Sequence, residues 1–313
     1  MKFSRTIHAG ILGSFAFSAS ALVLMMRPAN SEQAIVAHSA NRVVTEPTGN
    51  KSPNSDCSTE KADQVQSSKG SVSLTVAQQN LHAKVDRLNQ GRKFLQTVND
   101  YKVTLKKQEV VKGELLDEQI IAVKCRHEPF SVYLLWLTGD AGREVIYVEG
   151  QNNGKMVAHD GGWKARIPAF LLATDGSLAM RDARYPVTTA GIMNFVDQML
   201  EVHETDLKRA SCVSCVIQPE QVFSGRTCDV FTTEYKSAAD SPEYRKSITF
   251  IDREWNIPLY SRHFEWPKVD SSTEASNLDQ ATLIESYSFT DIQFGPHLTE
   301  VDFDRSNKDY NFR

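Results

Sequence analysis

The stretch PFSVYLLWLTGDAGREVIYVEGQNNGKMVAHDGG, Pro129 to Gly162, decides how the rest of the chain is read. It holds three apolar runs, at 130–137, 145–148 and 155–158, each cut by Gly, Asp or Asn. Aromatic and β-branched residues broken at this spacing predict an antiparallel meander with tight glycine turns. Nothing in the stretch forms a nucleophile elbow, a metal cage or a phosphate cradle. Its working part is therefore to be sought in a sheet face.

Upstream the period of two continues. Tyr101, Val103 and Leu105 alternate with Lys102, Thr104 and Lys106, predicting a strand with one wet face. A turn at 110–113 leads to a second strand at 115–125. Before these, Leu74, Leu81, Val85, Leu88 and Leu95 recur at steps of three, four and seven. That is the stripe of an amphipathic helix, with Gly91 a point where it can break in two. A helix that packs a core and one that covers a cavity look the same at this level.

Downstream, 163–184 reads equally as strand or packed loop, because Pro168 removes a ladder donor. A second helix follows, with Thr188 or Thr189 as its cap. Ile192, Phe195, Val196, Met199, His203 and Leu207 form its inward stripe, and Lys208 and Arg209 its last turn. Strand patterns then occupy 216–223, 227–235, 244–251, 257–266 and 283–294, with a polar loop at 270–277. Segregated helices and strands predict an α+β domain, with one large antiparallel sheet and helices on one face.

The N-terminus carries Lys2 and Arg5 before an uncharged apolar stretch at 11–26, followed by Arg27-Pro28 and the small residues Ala29-Asn30-Ser31. Residues 1–31 thus read as a signal peptide, or as a signal anchor if uncleaved, and the chain as exported to the periplasm or cell envelope. Residues 32–73 lack Phe, Trp and Tyr and read as a disordered linker containing Cys57. The folded domain is expected over 74–313. A formal charge of −4 excludes the basic footprint of a nucleic-acid binder.

Candidate chemistry is sparse. Cys212-Val213-Ser214-Cys215 follows a helix C-terminus, where the dipole opposes a thiolate, and has no second C-x-x-C to complete a zinc ribbon. A structural bridge involving Cys212, Cys215 or Cys228 is expected, leaving Cys57 or Cys125 unpaired. His127, His159 and His203 read as turn or surface histidines, and Leu207 replaces the second histidine of an H-E-x-x-H site. No catalytic residue, metal ligand or cofactor is assigned.

Pro129-Phe130-Ser131-Val132-Tyr133 with Trp136, the run 142–150 and His159-Asp160-Gly161-Gly162 together resemble the bacterial family called domain of unknown function 1571. Phe289-Thr290-Asp291-Ile292, Asp302-Phe303-Asp304 and Asp309-Tyr310-Asn311-Phe312 are similar to that family's C-terminus. The resemblance covers about 81–313. More distantly, the layout is similar to the LolA/LolB-type lipoprotein carriers, and 245–251 ending in Asp252 before Asn256-Ile257-Pro258 fits their sheet. That likeness implies a curved half-barrel whose concave face, partly closed by helices, holds a lipid or lipoprotein acyl chain, with a membrane-associated delivery partner. On this reading Tyr101, Val103, Leu105, Ile248, Phe250, Tyr260 and Phe264 are the expected cavity-lining residues. A tethered structural module with a packed core, and an exported thiol or hydrolytic enzyme, are the competing readings.

Overall fold

The computed structural model describes residues 74–268 and 277–312. The expected leader, the linker, Cys57 and nearly all of the polar gap at 270–277 lie outside the described residues. Helix α1 (Val76–Leu95) is followed by strands β1 (Asp100–Val111), β2 (Glu114–Leu115), β3 (Gln119–Arg126), β4 (Ser131–Trp136), β5 (Glu144–Val148), β6 (Lys155–His159) and β7 (Phe170–Ala173). Helix α2 (Ile192–Lys208) leads to β8 (Val213–Phe223), β9 (Arg226–Tyr235), β10 (Lys246–Asp252) and β11 (Pro258–Phe264). A one-turn helix α3 (Leu278–Ala281) precedes β12 (Leu283–Phe294).

Every pairing is antiparallel, in the order β7-β6-β5-β4-β3-β1-β12-β11-β10-β9-β8, with β2 hanging on β1. The sheet is open, since β7 and β8 end it and do not pair with each other. Met156 of β6 and Tyr235 of β9 nevertheless line one cavity of about 360 Å³. Eight strand spacings separate β6 from β9, about 38 Å on a flat sheet, so the sheet must curl. Its inner side shares one apolar core with α1 and α2. No helix among the described residues is long and apolar enough to cross a membrane.

The meander forms as its sequence predicts, and its unbroken apolar runs have a physical cause. β5 is buried at every position, and β4 at all but Leu135. A strand hydrophobic on both faces must be covered on both. Val132, Leu134, Trp136 and Val145 face the helices. On the outer side, Tyr133, Ile146, Val148 and Val157 pack under Phe303, Tyr310 and Phe312 of the C-terminal segment. The buried Glu144 accepts hydrogen bonds there from the Tyr133 hydroxyl at 2.9 Å and the Asn311 backbone N–H at 2.7 Å.

Helix α1 opens on a capping box between Thr75 and Gln78. It runs unbroken through Gly91, whose role is close approach: a Cβ there would lie 2.1 Å from the Asn256 carbonyl oxygen. Helix α2 starts later than Thr188 or Thr189 predicts. Its N-cap is Gly191, which has no side chain to cap with, and the Tyr101 hydroxyl accepts from the Ile192 N–H at 2.7 Å instead. The ambiguous stretch resolves into a turn over Gly162–Arg166 and the edge strand β7. Gly161 lets that turn sit on the β4–β5 hairpin, where a Cβ would lie 2.3 Å from the Ala141 oxygen.

Candidate functional site

The cavity lies between the inner sheet face, α2 and the segment joining β7 to α2. Two rows of cross-strand neighbours build its wall. Phe289 pairs in register with Leu105, Leu105 with Ile121, and Ile121 with Trp136, giving an apolar row across β12, β1, β3 and β4. Leu134, Val145 and Met156 extend it, and Phe195 and Met199 of α2 close over it. The Phe195 ring meets Phe289 and Tyr287 at centroid distances of 5.6 and 5.4 Å.

The second row is polar. Glu109 pairs with Glu285, Glu285 with His263, His263 with Ser247, Ser247 with Thr233, and Thr233 with Cys215. Directly opposed residues on neighbouring strands have Cβ atoms about 5 Å apart, so the row is continuous. Lys107 opposite Tyr287 lies between the two rows. Leu105 to Glu109 is four residues, about 13 Å along the strand. The wall therefore passes from hydrocarbon to buried charge within the length of a short lipid.

Hydrogen bonding at the polar end is dense. Glu285, 2 % exposed, accepts from Tyr244 at 3.0 Å and Tyr185 at 3.1 Å, and pairs with Arg184 Nε at 3.0 Å. Glu109 accepts from the Tyr287 hydroxyl at 2.7 Å and Lys107 Nζ at 2.8 Å. Arg184 also pairs with Glu243. Burial raises the Glu285 carboxyl above its ordinary value, outweighing the opposing effect of Arg184 and the tyrosine hydroxyls. Burial first, and then the charges of Lys84, His203 and Arg184, hold His263 down to about 3. His203, bonded to Asp206 at 2.8 Å, is held to about 4 by burial and then by Lys84.

Lys84 sits on the inward stripe of α1, fully buried, with Nζ donating to Thr233 at 3.1 Å. Burial lowers it to about 8 against the attraction of Cys215 and Asp206. Among the described residues lining the cavity, two buried polar side-chain atoms make no hydrogen bond: Ser247 Oγ and His263 Nδ1, the latter 3.5 Å from Glu285 Oε1. Among the described residues no group of His, Cys, Asp and Glu is arranged to hold a metal ion.

Of the expected lining residues, Leu105 stands in this cavity. Tyr101 lines a separate pocket of about 330 Å³ with Cys125 and His127, and Val103 is packed in the core. Ile248, Phe250, Tyr260 and Phe264 are not among the lining residues of either. On β10 and β11 the side facing inward carries Ser247, Thr249, Ser261 and His263, so the apolar alternation there marks the outer face. Phe250 and Tyr260 pack with Phe223 on that outer side, and Phe264 lies under Arg262. The cysteines meet expectation in part: Cys212, on a buried turn, is disulfide-bonded. Cys215 and Cys228 are free buried thiols on adjacent strands and take no part in that bridge, and Cys125 on β3 is free as well.

His203 is a buried cavity residue rather than a surface one. Glu109, Glu285, Ser247, His263 and Lys84 carry no local sequence signal, because only the strand register and helix packing bring them together. The one available hint is that Glu285, Tyr287 and Phe289 alternate on one face of β12, repeating in reverse the sequence Leu105, Lys107, Glu109 of its partner.

These features define an α+β protein with an open, curled antiparallel sheet around an internal amphipathic cavity. The chain belongs to the family described as Protein of unknown function (DUF1571), whose model matches residues 98–312. A search of curated proteins finds no match. Among solved structures the chain is similar to the lipoprotein LppX of Mycobacterium tuberculosis, at 11% identity over 71% of this chain and 99% of that one, TM-score 0.41. A putative outer membrane lipoprotein-sorting protein domain from Vibrio parahaemolyticus gives 10% identity, 73% and 97% coverage and a TM-score of 0.32. A LolA superfamily protein from Nitrosomonas europaea gives 7%, 70% and 96%, and 0.29. Similarity at this level is slight, and the fold description rests on the strand order.

Proposed function

We propose that this is an exported, non-enzymatic protein of the cell envelope that holds a lipid or acyl chain in the cavity between sheet and α2. The observation that carries the reading is the apolar row Phe289–Leu105–Ile121–Trp136, which lines a cavity of about 360 Å³. That volume lies within the usual range of ligand pockets, roughly 300–1,000 Å³. An acyl chain gains about 0.8 kcal/mol for each CH₂ removed from water, so ten carbons supply about 8 kcal/mol before the costs of association. Residues 1–31 would direct export, and a membrane-associated partner would receive the cargo. Native mass spectrometry of protein purified from its own envelope tests the reading: a co-purifying lipid supports it. Lipid-free protein that also fails to take up an apolar fluorescent dye would end it. The packed structural module is the second reading, favoured by the full internal pairing of Glu109 and Glu285.

A further inference from the structure

The cavity has two ends, and the polar end holds information about what occupies it. Ser247 is 4 % exposed, lines the cavity, and its hydroxyl has no protein partner. Its register partner is His263, whose own register partner is Glu285. His263 Nε2 lies 2.7 Å from Ser261 Oγ, a hydroxyl that also stands 3.4 Å from the Ile248 carbonyl oxygen and 3.4 Å from Thr249 Oγ1. Ser261 can donate to the ring or accept from it, so either ring nitrogen can carry the proton. Nδ1 stands 3.5 Å from Glu285 Oε1 and makes no hydrogen bond.

A buried polar atom left without a partner is costly. Two adjacent strands thus place a hydroxyl and an imidazole nitrogen without hydrogen bonds in the cavity wall, beside the Glu285 carboxyl. A ligand hydroxyl both donates and accepts, so it satisfies both whichever ring nitrogen carries the proton. A carboxylate or phosphate head only accepts, and would set its charge beside Glu285. A cation gains little either, because Glu285 is paired with Arg184 at 3.0 Å and Glu109 with Lys107 at 2.8 Å.

We propose that the Ser247–His263–Glu285 row seats the uncharged, hydroxyl-bearing head of a monoacylglycerol-like amphiphile whose chain lies along Phe289, Leu105, Ile121 and Trp136. This rests on the reading of the cavity as a lipid site and names its cargo. The apolar and polar rows are about 13 Å apart along β1, so head and chain are read by different residues.

Displacement of an apolar fluorescent dye from the delipidated protein by monooleoylglycerol, oleate and oleylamine tests it, since the three share one chain and differ in the head. Monooleoylglycerol is expected to displace the dye at about tenfold lower concentration than the other two, the ratio that one unsatisfied buried polar group produces. Ser247→Ala and His263→Phe should each erase most of that preference, read within each variant as the ratio of the three displacing concentrations, from which any change in dye affinity cancels. Equal displacement by all three, tighter binding of oleate or oleylamine, or a preference that survives both substitutions overturns the assignment and leaves the lipid reading standing. Failure of the dye itself to bind overturns both.

Discussion

Tyr133 and Tyr310 stack face to face, with ring centroids 4.0 Å apart and planes 7° from parallel. The contact ties the C-terminal segment to the outer face of β4. Lys124 reinforces it, with Nζ 2.9 Å from the Tyr310 hydroxyl and 2.7 Å from Asp302. Arg126 pairs with Glu300 one pleat away. Tyr310→Ala should cost about 3 kcal/mol, the usual loss for a buried aromatic ring. A urea midpoint unchanged by the substitution would show that the strap contributes no stability.

Gly91 is the point where α1 touches the turn before β11. Gly91→Ala would drive a methyl into the Asn256 carbonyl, which is backbone and has no rotamer to yield. A loss of about 3 kcal/mol or more is expected although alanine favours helices, because overpacking outweighs the propensity gain. Thermal melting that rises or stays level would contradict that contact.

Stability should fall in mild acid. His203 and His263 are held neutral in the fold, at about 4 and about 3 against an ordinary 6.5. The unfolded chain takes up their protons first, so stability is lost as pH drops from about 6.5 toward 4, by up to about 1.4 kcal/mol per pH unit for each histidine. Glu285 acts in the opposite sense, since its raised carboxyl favours the fold as pH falls. His203→Gln should flatten the slope by roughly one proton in urea titrations between those limits. An unaltered slope would mean that His203 is not held neutral in the folded chain.

Lys84 gives the alkaline counterpart. Its ammonium is lowered to about 8 by burial, so the fold gains stability as pH rises from about 8 toward the ordinary 10.5. Lys84→Met should abolish that rise and leave the protein at least as stable near neutral pH, because replacing a buried charge by hydrocarbon is often neutral or favourable. A variant that loses stability would indicate that the bond to Thr233 outweighs the desolvation of the ammonium.

Leu105→Trp fills the apolar end of the cavity without touching the polar row. Dye uptake should fall at least about tenfold while far-ultraviolet circular dichroism is retained. Undiminished uptake would place the dye elsewhere.

The meander and the α+β order were legible because period and turn chemistry are local properties of Pro129 to Gly162. The inner face of β10 and β11 was not. Alternation there reports which side is apolar, and near the cavity the inward side is Ser247, Thr249, Ser261 and His263. Hydrophobicity therefore pointed to Phe250 and Tyr260 on the outside. The start of α2 is illegible for a related reason, since Tyr101, 91 residues away, serves the Ile192 N–H instead of a local threonine. Register across β1 and β12 created the rest of the site. Tyr287 and Glu109 meet at 2.7 Å although 178 residues part them in the chain.

That pairing has a kinetic consequence. Among the described residues β12 follows every other strand in chain order, yet it lies between β1 and β11 and is the piece that joins the two halves of the sheet. Until it is in place, β1 and β11 both present open edges, and the two half-sheets have no shared ladder. Closing so long a loop is entropically expensive and slow. The last of these strands in chain order is thus the keystone, and the two half-sheets join into one ladder only when it is added.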